Sequence, residues 1–130
     1  MIVGLGIDIC DIKRIENTLA KYGDKFKRRC FTEKEILRCN KVKNCSACFA
    51  KRFASKEATA KALGTGINHG VNWKNIEIIN FKSGKPKVIL YGKAYAKLVQ
   101  LLPKNMKSKI SITISDEKGL AQSLVIIEAI

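Results

Sequence analysis

The stretch from Arg52 to Gly66 places one carboxylate, Glu57, among the cations Arg52, Lys56 and Lys61 near the predicted end of a helix. Glu57 and Lys61 lie four residues apart, so both side chains project from one side of such a helix. The run continues into Gly64-Thr65-Gly66, and glycine is a common residue at a helix end. Such a cluster can hold a divalent cation together with a polyphosphate. The alternative is a solvated amphipathic helix with one exposed ion pair, which contributes only about a few tenths of a kcal/mol.

A second carboxylate, Asp8, lies near the end of a predicted buried strand over residues 2–10. This strand is rich in apolar and β-branched residues, and a carboxylate there is costly unless it is paired, hydrogen-bonded or bound to a metal. The alternative role of Asp8 is to cap the helix that follows. Asp11 is the better cap, because apolar residues follow it at helical spacing over residues 12–19.

Helices between and beside mainly antiparallel strands must position these residues. Thr32 followed by Glu35 forms a capping box, which is typical of a helix start. We predict helices over residues 12–22, from residue 32, from Asn44 or Ser46 to Gly64 and over residues 92–102, and strands over residues 2–10, Trp73 with 76–79, 87–91, 109–115 and 121–129. This order of elements predicts an α+β fold in a single domain over residues 1–130.

A net charge of +14 is the most unusual bulk property of this chain of 130 residues. It implies an anionic partner, such as nucleic acid, an acidic protein, a phosphorylated small molecule or a membrane surface. No run of residues approaches the roughly 20 apolar positions of a membrane span. The N-terminal residues carry no basic leader and Asp8 interrupts their apolar run, so we expect no signal peptide and a cytoplasmic location.

Five cysteines, an odd number, exclude a complete set of disulfides. Cys45 and Cys48 have the spacing of a metal-binding pair, but no second pair lies at a matching distance, and a structural zinc site needs four ligands. We therefore expect reduced thiols, as in cytosolic proteins. His69, the only histidine, is interpreted as a loop residue.

The most specific motif runs from Arg52 to Gly66 and reads Arg-Phe-Ala-x-Lys-Glu-Ala-x-x-Lys-Ala-Leu-Gly-Thr-Gly. Further motifs are Gly6-Ile7-Asp8-Ile9 with Arg14-Ile15, Phe31-Thr32-x-x-Glu35, Trp73 with Ile76-Glu77-Ile78, Gly84-Lys85-Pro86 and Val125-Ile126-Ile127-Glu128. In this order they resemble the holo-acyl-carrier-protein synthase family over the whole chain. The resemblance implies the 4′-phosphopantetheinyl transferase fold, with a mainly antiparallel sheet packed against a long helix.

This resemblance implies transfer of 4′-phosphopantetheine from coenzyme A to a serine of apo-acyl carrier protein. Adenosine 3′,5′-bisphosphate is released, and the reaction supports fatty acid biosynthesis. The resemblance also implies a requirement for Mg²⁺, with Asp8 and Glu57 as metal ligands and with Asp8, Glu57 and Lys61 as the catalytic residues. The residues implied in coenzyme A binding are Arg52, Lys56, Lys61, Gly64, Gly84 and Pro86. Which of the cations Arg52, Lys56 and Lys61 reaches the phosphates stays open.

Members of this family are homotrimers with active sites at subunit boundaries, and their first helix meets an acidic carrier protein. The residues of this chain that we expect to dock the carrier are Arg14, Lys21, Lys25 and Arg28. A charge of +14 would steer this encounter, and salt would slow it. We expect neither nucleic acid nor a membrane as a partner.

The base that accepts the serine proton stays open between Glu57, a metal-bound water and Glu35. Some family members carry a histidine after a serine near the C-terminus, where this chain has Ser115-Asp116. This departure removes one candidate base and leaves the role of Asp116 open.

A small basic nucleic-acid-binding protein is the main competing hypothesis, since the charge alone favours it. Aromatic residues, at 7%, are not interleaved with the basic runs, and no nucleic-acid-binding motif is present. A third hypothesis is a structural subunit whose carboxylates are only caps and ion pairs. Transfer from coenzyme A to apo-carrier protein in the presence of Mg²⁺ distinguishes the three.

Overall fold

Five strands, five α-helices and one 3₁₀ turn form the chain in the computed structural model, which describes residues 1–130. In chain order they are β1 (Ile2–Asp11), α1 (Ile12–Tyr22), α2 (Asp24–Cys30), α3 (Glu33–Lys41), α4 (Cys45–Ala62), the 3₁₀ turn (Trp73–Asn75), β2 (Ile76–Asn80), β3 (Pro86–Leu90), α5 (Gly92–Leu101), β4 (Ser108–Glu117) and β5 (Leu120–Ala129). None of the helices combines the length and the apolar character that crossing a membrane requires.

The sheet that carries Asp8 has three antiparallel strands in the order β1–β5–β4, and β2 and β3 form a separate antiparallel hairpin. Because successive side chains of a strand point to opposite faces, Gly4, Gly6, Asp8 and Cys10 share one face of β1. The long helix α4 packs on this inner face, where Val125 of β5 joins the alanines of α4 in the core. α4 therefore covers the sheet beside Asp8.

Two glycines let α4 approach β1 at backbone distance. A Cβ on Gly6 would lie 2.8 Å from the amide nitrogen of Ala62 and still closer to the carbonyl oxygen of Ala58. A Cβ on Gly4 would likewise meet the carbonyl oxygen of Ala62. Glycine in a strand often marks such an approach of another backbone. The contact places the C-terminal half of α4 directly over β1.

The predicted α+β class and most of the predicted elements are confirmed. α1 spans the predicted residues 12–22, and the capping box of Thr32 and Glu35 begins α3. Asn44 caps α4, since its Oδ1 accepts a hydrogen bond from the amide of Ala47. Local capping signals therefore placed these helix starts correctly.

Three segments differ from the prediction. Residues 24–30 form α2, where no helix was predicted. A 3₁₀ turn over Trp73–Asn75 precedes β2, so the strand begins after the tryptophan. β4 and β5 extend beyond the strands predicted over residues 109–115 and 121–129 and leave only Lys118 and Gly119 between them, both with positive φ.

Cys39 of α3 and Cys48 of α4 form a disulfide, with Cα atoms 5.4 Å apart. The expectation that all cysteines are reduced is therefore wrong. It failed because the packing of α3 against α4, which brings the two residues together, cannot be read from their spacing in the sequence. Cys10, Cys30 and Cys45 are free thiols.

Candidate active site

Asp8, Glu57 and Lys61 lie in the region where the C-terminal half of α4 crosses β1. Lys61 Nζ donates hydrogen bonds to Asp8 Oδ1 at 2.9 Å and to the carbonyl oxygen of Ile7 at 3.0 Å. The Asp8 side chain is 17% exposed and that of Lys61 is 50% exposed. The carboxylate is therefore recessed, while the ammonium that pairs with it stays accessible to a ligand.

Glu57 is half-buried, and it lies close enough to Asp8 to feel the negative charge of that side chain. Burial raises the pKa of the Glu57 carboxyl most, and the negative charge of Asp8 raises it further. The positive charges of Lys61 and Arg14 oppose this shift. Two carboxylates that repel each other in a partly buried place are both stabilised by a cation near them.

The two carboxylates supply hard oxygen ligands of the kind that Mg²⁺ prefers. No three or more acidic, histidine or cysteine side chains lie together so that they could hold a metal ion. Mg²⁺ in phosphoryl-transfer sites is commonly bound through one or two carboxylates and keeps its other positions for water and phosphate oxygens. Asp8 and Glu57 therefore fit an open magnesium site, whereas a closed structural metal site would need more ligands.

Lys61 pairs with Asp8 and not with Glu57, so the exposed ion pair within α4 that its spacing allowed is absent. Lys61 bridges two elements and ties α4 to β1. A contact between residues 53 positions apart cannot be inferred from helical spacing.

Lys56 lies in the core and not at this site. Its Nζ donates hydrogen bonds to Glu35 Oε1 at 2.6 Å, to the carbonyl oxygen of Ile76 at 2.6 Å and to that of Trp73 at 2.9 Å. These contacts use all three protons of the ammonium, and the side chain is fully buried. The assignment of Lys56 to coenzyme A binding is therefore contradicted, because its ammonium cannot reach a ligand.

Glu35 is the partner in this buried pair, which argues against its use as the base. Its Oε1 also accepts a hydrogen bond from the amide of Thr32 at 2.9 Å, and its Oε2 accepts one from the amide of Ile78 at 2.9 Å. Burial lowers the pKa of Lys56, and the neighbouring Glu35 charge opposes that shift. The pair links α3, α4 and β2 and has a structural role.

Arg52, Gly84 and Pro86 line a separate cavity of about 440 Å³. Arg52 is 5% exposed. Its Nη2 donates to Asn80 Oδ1 and its Nη1 to Cys48 Sγ, while its buried Nε has no acceptor. Because Arg52 places a positive charge at the cavity wall, the cavity suits an anionic ligand.

Sequence reasoning missed two further cations of this cavity, Arg38 and Lys51. Arg38 comes from α3, and its approach to α4 depends on tertiary packing. Lys51 is adjacent to Arg52 in the sequence, which is the one signal that could have found it. Asp116 of β4 lines the same cavity, with its Oδ1 3.3 Å from Lys51 Nζ.

Gly64 lines neither the cluster of Asp8, Glu57 and Lys61 nor the cavity that contains Arg52. Its amide donates to the carbonyl oxygen of Lys61 at 2.9 Å, and its φ of 84° closes the end of α4 in a conformation that glycine adopts without strain. It lines a different cavity of about 530 Å³ together with His69, Lys93 and Lys97.

The residues expected to dock the carrier protein are all exposed on α1 and α2. They are Arg14, Lys21, Lys25 and Arg28. Arg14 is close enough to the carboxylates for its charge to lower the pKa of Glu57, and its guanidinium lies 5.8 Å from the centre of the Phe53 ring. The basic surface therefore borders the carboxylates.

Comparison with known proteins identifies the family to which this chain belongs. Residues 4–115 match the family model described as the 4′-phosphopantetheinyl transferase superfamily. The holo-[acyl-carrier-protein] synthase of Sinorhizobium fredii is 49% identical over 130 residues, which cover 100% of this chain and 94% of that protein. The synthase of Methylorubrum populi is 45% identical, again over 100% of this chain and over 96% of that protein.

Solved structures of the same fold include two bacterial synthases. That of Neisseria meningitidis holo-[acyl-carrier-protein] synthase has a TM-score of 0.84 at 38% identity and covers 98% of this chain and 99% of that chain. The Helicobacter pylori synthase, solved in complex with coenzyme A, has a TM-score of 0.80 at 31% identity and covers 95% of this chain and 99% of that chain. This chain therefore belongs to the 4′-phosphopantetheinyl transferase superfamily and, within it, to the holo-[acyl-carrier-protein] synthases.

Proposed function

We propose that this chain transfers 4′-phosphopantetheine from coenzyme A to a serine of apo-acyl carrier protein and releases adenosine 3′,5′-bisphosphate. The observation that carries the proposal is the convergence of Asp8, Glu57 and Lys61 from β1 and α4, in a chain whose relatives bear the name of this activity. Two carboxylates beside an accessible ammonium match the need of phosphoryl transfer to position phosphates and offset their charge.

The proposed cofactor is Mg²⁺, held by Asp8 and Glu57. When bound, it supplies positive charge that neutralises the phosphoryl oxygens as the pyrophosphate bond breaks. The accessible Lys61 ammonium, now paired with Asp8, is the side chain best placed to bind one of these phosphates. Mg²⁺ and the Lys61 ammonium would both offset negative charge on the phosphate oxygens, which is the main obstacle to the attack.

In the reaction, the serine oxygen of the carrier protein bonds to the phosphorus that bears pantetheine. The bond between that phosphorus and the bridging oxygen breaks, and its electrons leave with adenosine 3′,5′-bisphosphate. The serine proton needs an acceptor, and Glu57 is the side chain that remains once Glu35 is set aside.

The proposed site for the nucleotide of coenzyme A is the cavity of about 440 Å³ lined by Arg52, Gly84 and Pro86. Neither of the two metal-binding carboxylates nor Lys61 lines it. In one chain, the residues proposed to bind the nucleotide and those proposed to bind the metal therefore lie on separate surfaces. A site shared between neighbouring copies would join the two, which supports the homotrimer with active sites at subunit boundaries.

The outer face of the three-stranded sheet supports the same assembly. It exposes Leu5, Ile7 and Ile9 of β1, which are 60%, 49% and 58% exposed, and Leu124 of β5, which pairs with Ile7. Such a contiguous apolar face is typical of a protein interface. Ile7→Glu should give a monomer with little transferase activity in analytical ultracentrifugation and kinetic assays, whereas Lys34→Glu on α3 should change neither. A fully active Ile7→Glu monomer would refute the shared site.

An acidic carrier protein suits the basic surface on α1 and α2. A net charge of +14 accelerates the approach of an acidic partner, and Arg14 lies where this surface borders the carboxylates. Raising the salt concentration should therefore raise KM for the carrier protein more than KM for coenzyme A. Equal effects on both would remove the steering argument.

The proposed function is tested by incubating the protein with coenzyme A and apo-acyl carrier protein and weighing the carrier by intact-mass spectrometry. We expect the carrier to gain one phosphopantetheine group with Mg²⁺ and none with excess EDTA. A carrier whose serine is replaced by alanine is the matched control and should gain nothing. An unchanged carrier mass in the presence of Mg²⁺ would refute the function, and an equal gain in EDTA would refute the metal requirement.

A further inference from the structure

Asp116 is the one carboxylate among the residues that line the cavity assigned to the nucleotide. The other charged residues of its wall are the cations Arg38, Lys51 and Arg52. Lys51 Nζ lies 3.3 Å from Asp116 Oδ1, and the two side chains are 34% and 40% exposed. The ion pair therefore lies at the solvent-exposed part of a cavity that is otherwise positively charged.

Strand alternation explains why Asp116 reaches this cavity. Ile114 and Asp116 share the inner face of β4, and both line the cavity, whereas Glu117 points to the opposite face. Lys51 projects from the first half of α4. The ion pair thus bridges the sheet and the helix that form two walls of the cavity.

We propose that Asp116 sets how tightly this cavity holds a nucleotide phosphate, by competing for Lys51 and by placing a like charge beside the ligand. The proposal rests on the proposed function, which puts a 3′-phosphorylated adenosine in the cavity. Coenzyme A and the product adenosine 3′,5′-bisphosphate both carry that phosphate, so Asp116 acts on substrate binding and on product release alike.

Competition for Lys51 and repulsion of the ligand both weaken the binding of a phosphate. A half-exposed ion pair is weak, so a phosphate can displace the carboxylate from Lys51. The displaced carboxylate remains on the cavity wall and repels the phosphate that replaced it. Arg52 is unaffected, because Asn80 and Cys48 hold its terminal nitrogens. Asp116 therefore weakens the hold on the phosphate and favours release of the bisphosphate product.

The test compares two ligands that differ by one phosphate, adenosine 3′,5′-bisphosphate and adenosine 5′-monophosphate, by isothermal titration calorimetry. In Asp116→Asn we expect the Kd of the bisphosphate to fall about fivefold, the scale of one exposed ion pair, and that of the monophosphate to change less than about twofold. In Lys51→Met we expect the Kd of the bisphosphate to rise, and the added effect of Asp116→Asn in that background to shrink. Salt should reduce every one of these differences.

Glu117→Gln is the matched control, since it removes the same charge one position along β4 on the opposite face, and it should leave both Kd values unchanged. A bisphosphate Kd that rises or stays constant in Asp116→Asn would overturn the proposal, as would equal changes for the two ligands. Wild-type protein that binds neither nucleotide would instead refute the proposed function, so the two failures are distinguishable.

Discussion

Replacing Gly6 by alanine tests whether the close packing of α4 on β1 brings together the groups that we propose to be catalytic. The new Cβ would lie 2.8 Å from the amide nitrogen of Ala62 and closer still to the carbonyl oxygen of Ala58, whereas ordinary contacts lie beyond 3.4 Å. Both obstacles are backbone atoms, so the strand and the helix must separate by about 1.5 Å. A displacement of about 1 Å between catalytic groups can lower turnover about 100-fold, and the overpacking costs about 1–3 kcal/mol of stability.

Turnover in this test is kcat from the mass gain of the carrier protein, and stability is the free energy of unfolding in urea. Gly119→Ala is the control, because a Cβ there meets nothing within 4 Å while its φ of 80° strains any other residue. We expect that control to lose about 1 kcal/mol or more of stability and to keep wild-type kcat. A Gly6→Ala protein that folds and turns over at the wild-type rate would refute the idea that this contact positions the site.

Three further predictions follow from individual contacts. Because burial and Asp8 raise the pKa of Glu57 above its ordinary 4.5, its contribution to stability is present below that pH and is lost as the pH rises through the raised value. Glu57→Gln should therefore have a higher Tm than wild type at neutral pH in EDTA while losing transferase activity, and an equal Tm would contradict the pKa shift. Reducing the disulfide of Cys39 and Cys48 should lower the free energy of unfolding by about 2–3 kcal/mol. Alkylation should modify three cysteines before reduction and five after it. Modification of all five before reduction would exclude the disulfide. Lys56→Met should lose about 3–5 kcal/mol, because it leaves a buried carboxylate without its partner, and a loss near zero in urea unfolding would show that this pair is not buried in solution.

The parts of the fold that could be predicted from the sequence are those with local causes. The capping box of Thr32 and Glu35 and the cap at Asn44 each involve residues three apart, so their pattern is visible without tertiary structure. The strand that carries Asp8 was found from its composition. The strand predicted over residues 109–115 is confirmed as β4, which pairs antiparallel with β5.

The errors at Lys56 and at the cysteines involve contacts between distant parts of the chain. Spacing placed Lys56 beside the other cations of α4, but Glu35 and the carbonyl oxygens before β2 draw its ammonium into the core. In the same way, the pairing of Cys39 with Cys48 depends on the angle at which α3 meets α4. Helical spacing gives the side of a helix from which a residue projects, but not what lies opposite that side.

The most direct test of the account is to locate a divalent ion by anomalous diffraction from crystals grown with Mn²⁺ in place of Mg²⁺ and with coenzyme A. We expect a single strong peak between the carboxylates of Asp8 and Glu57, with the coenzyme A pyrophosphate beside it and Lys61 turned from Asp8 toward a phosphate. A peak elsewhere, or a pyrophosphate bound far from these two carboxylates, would contradict the account.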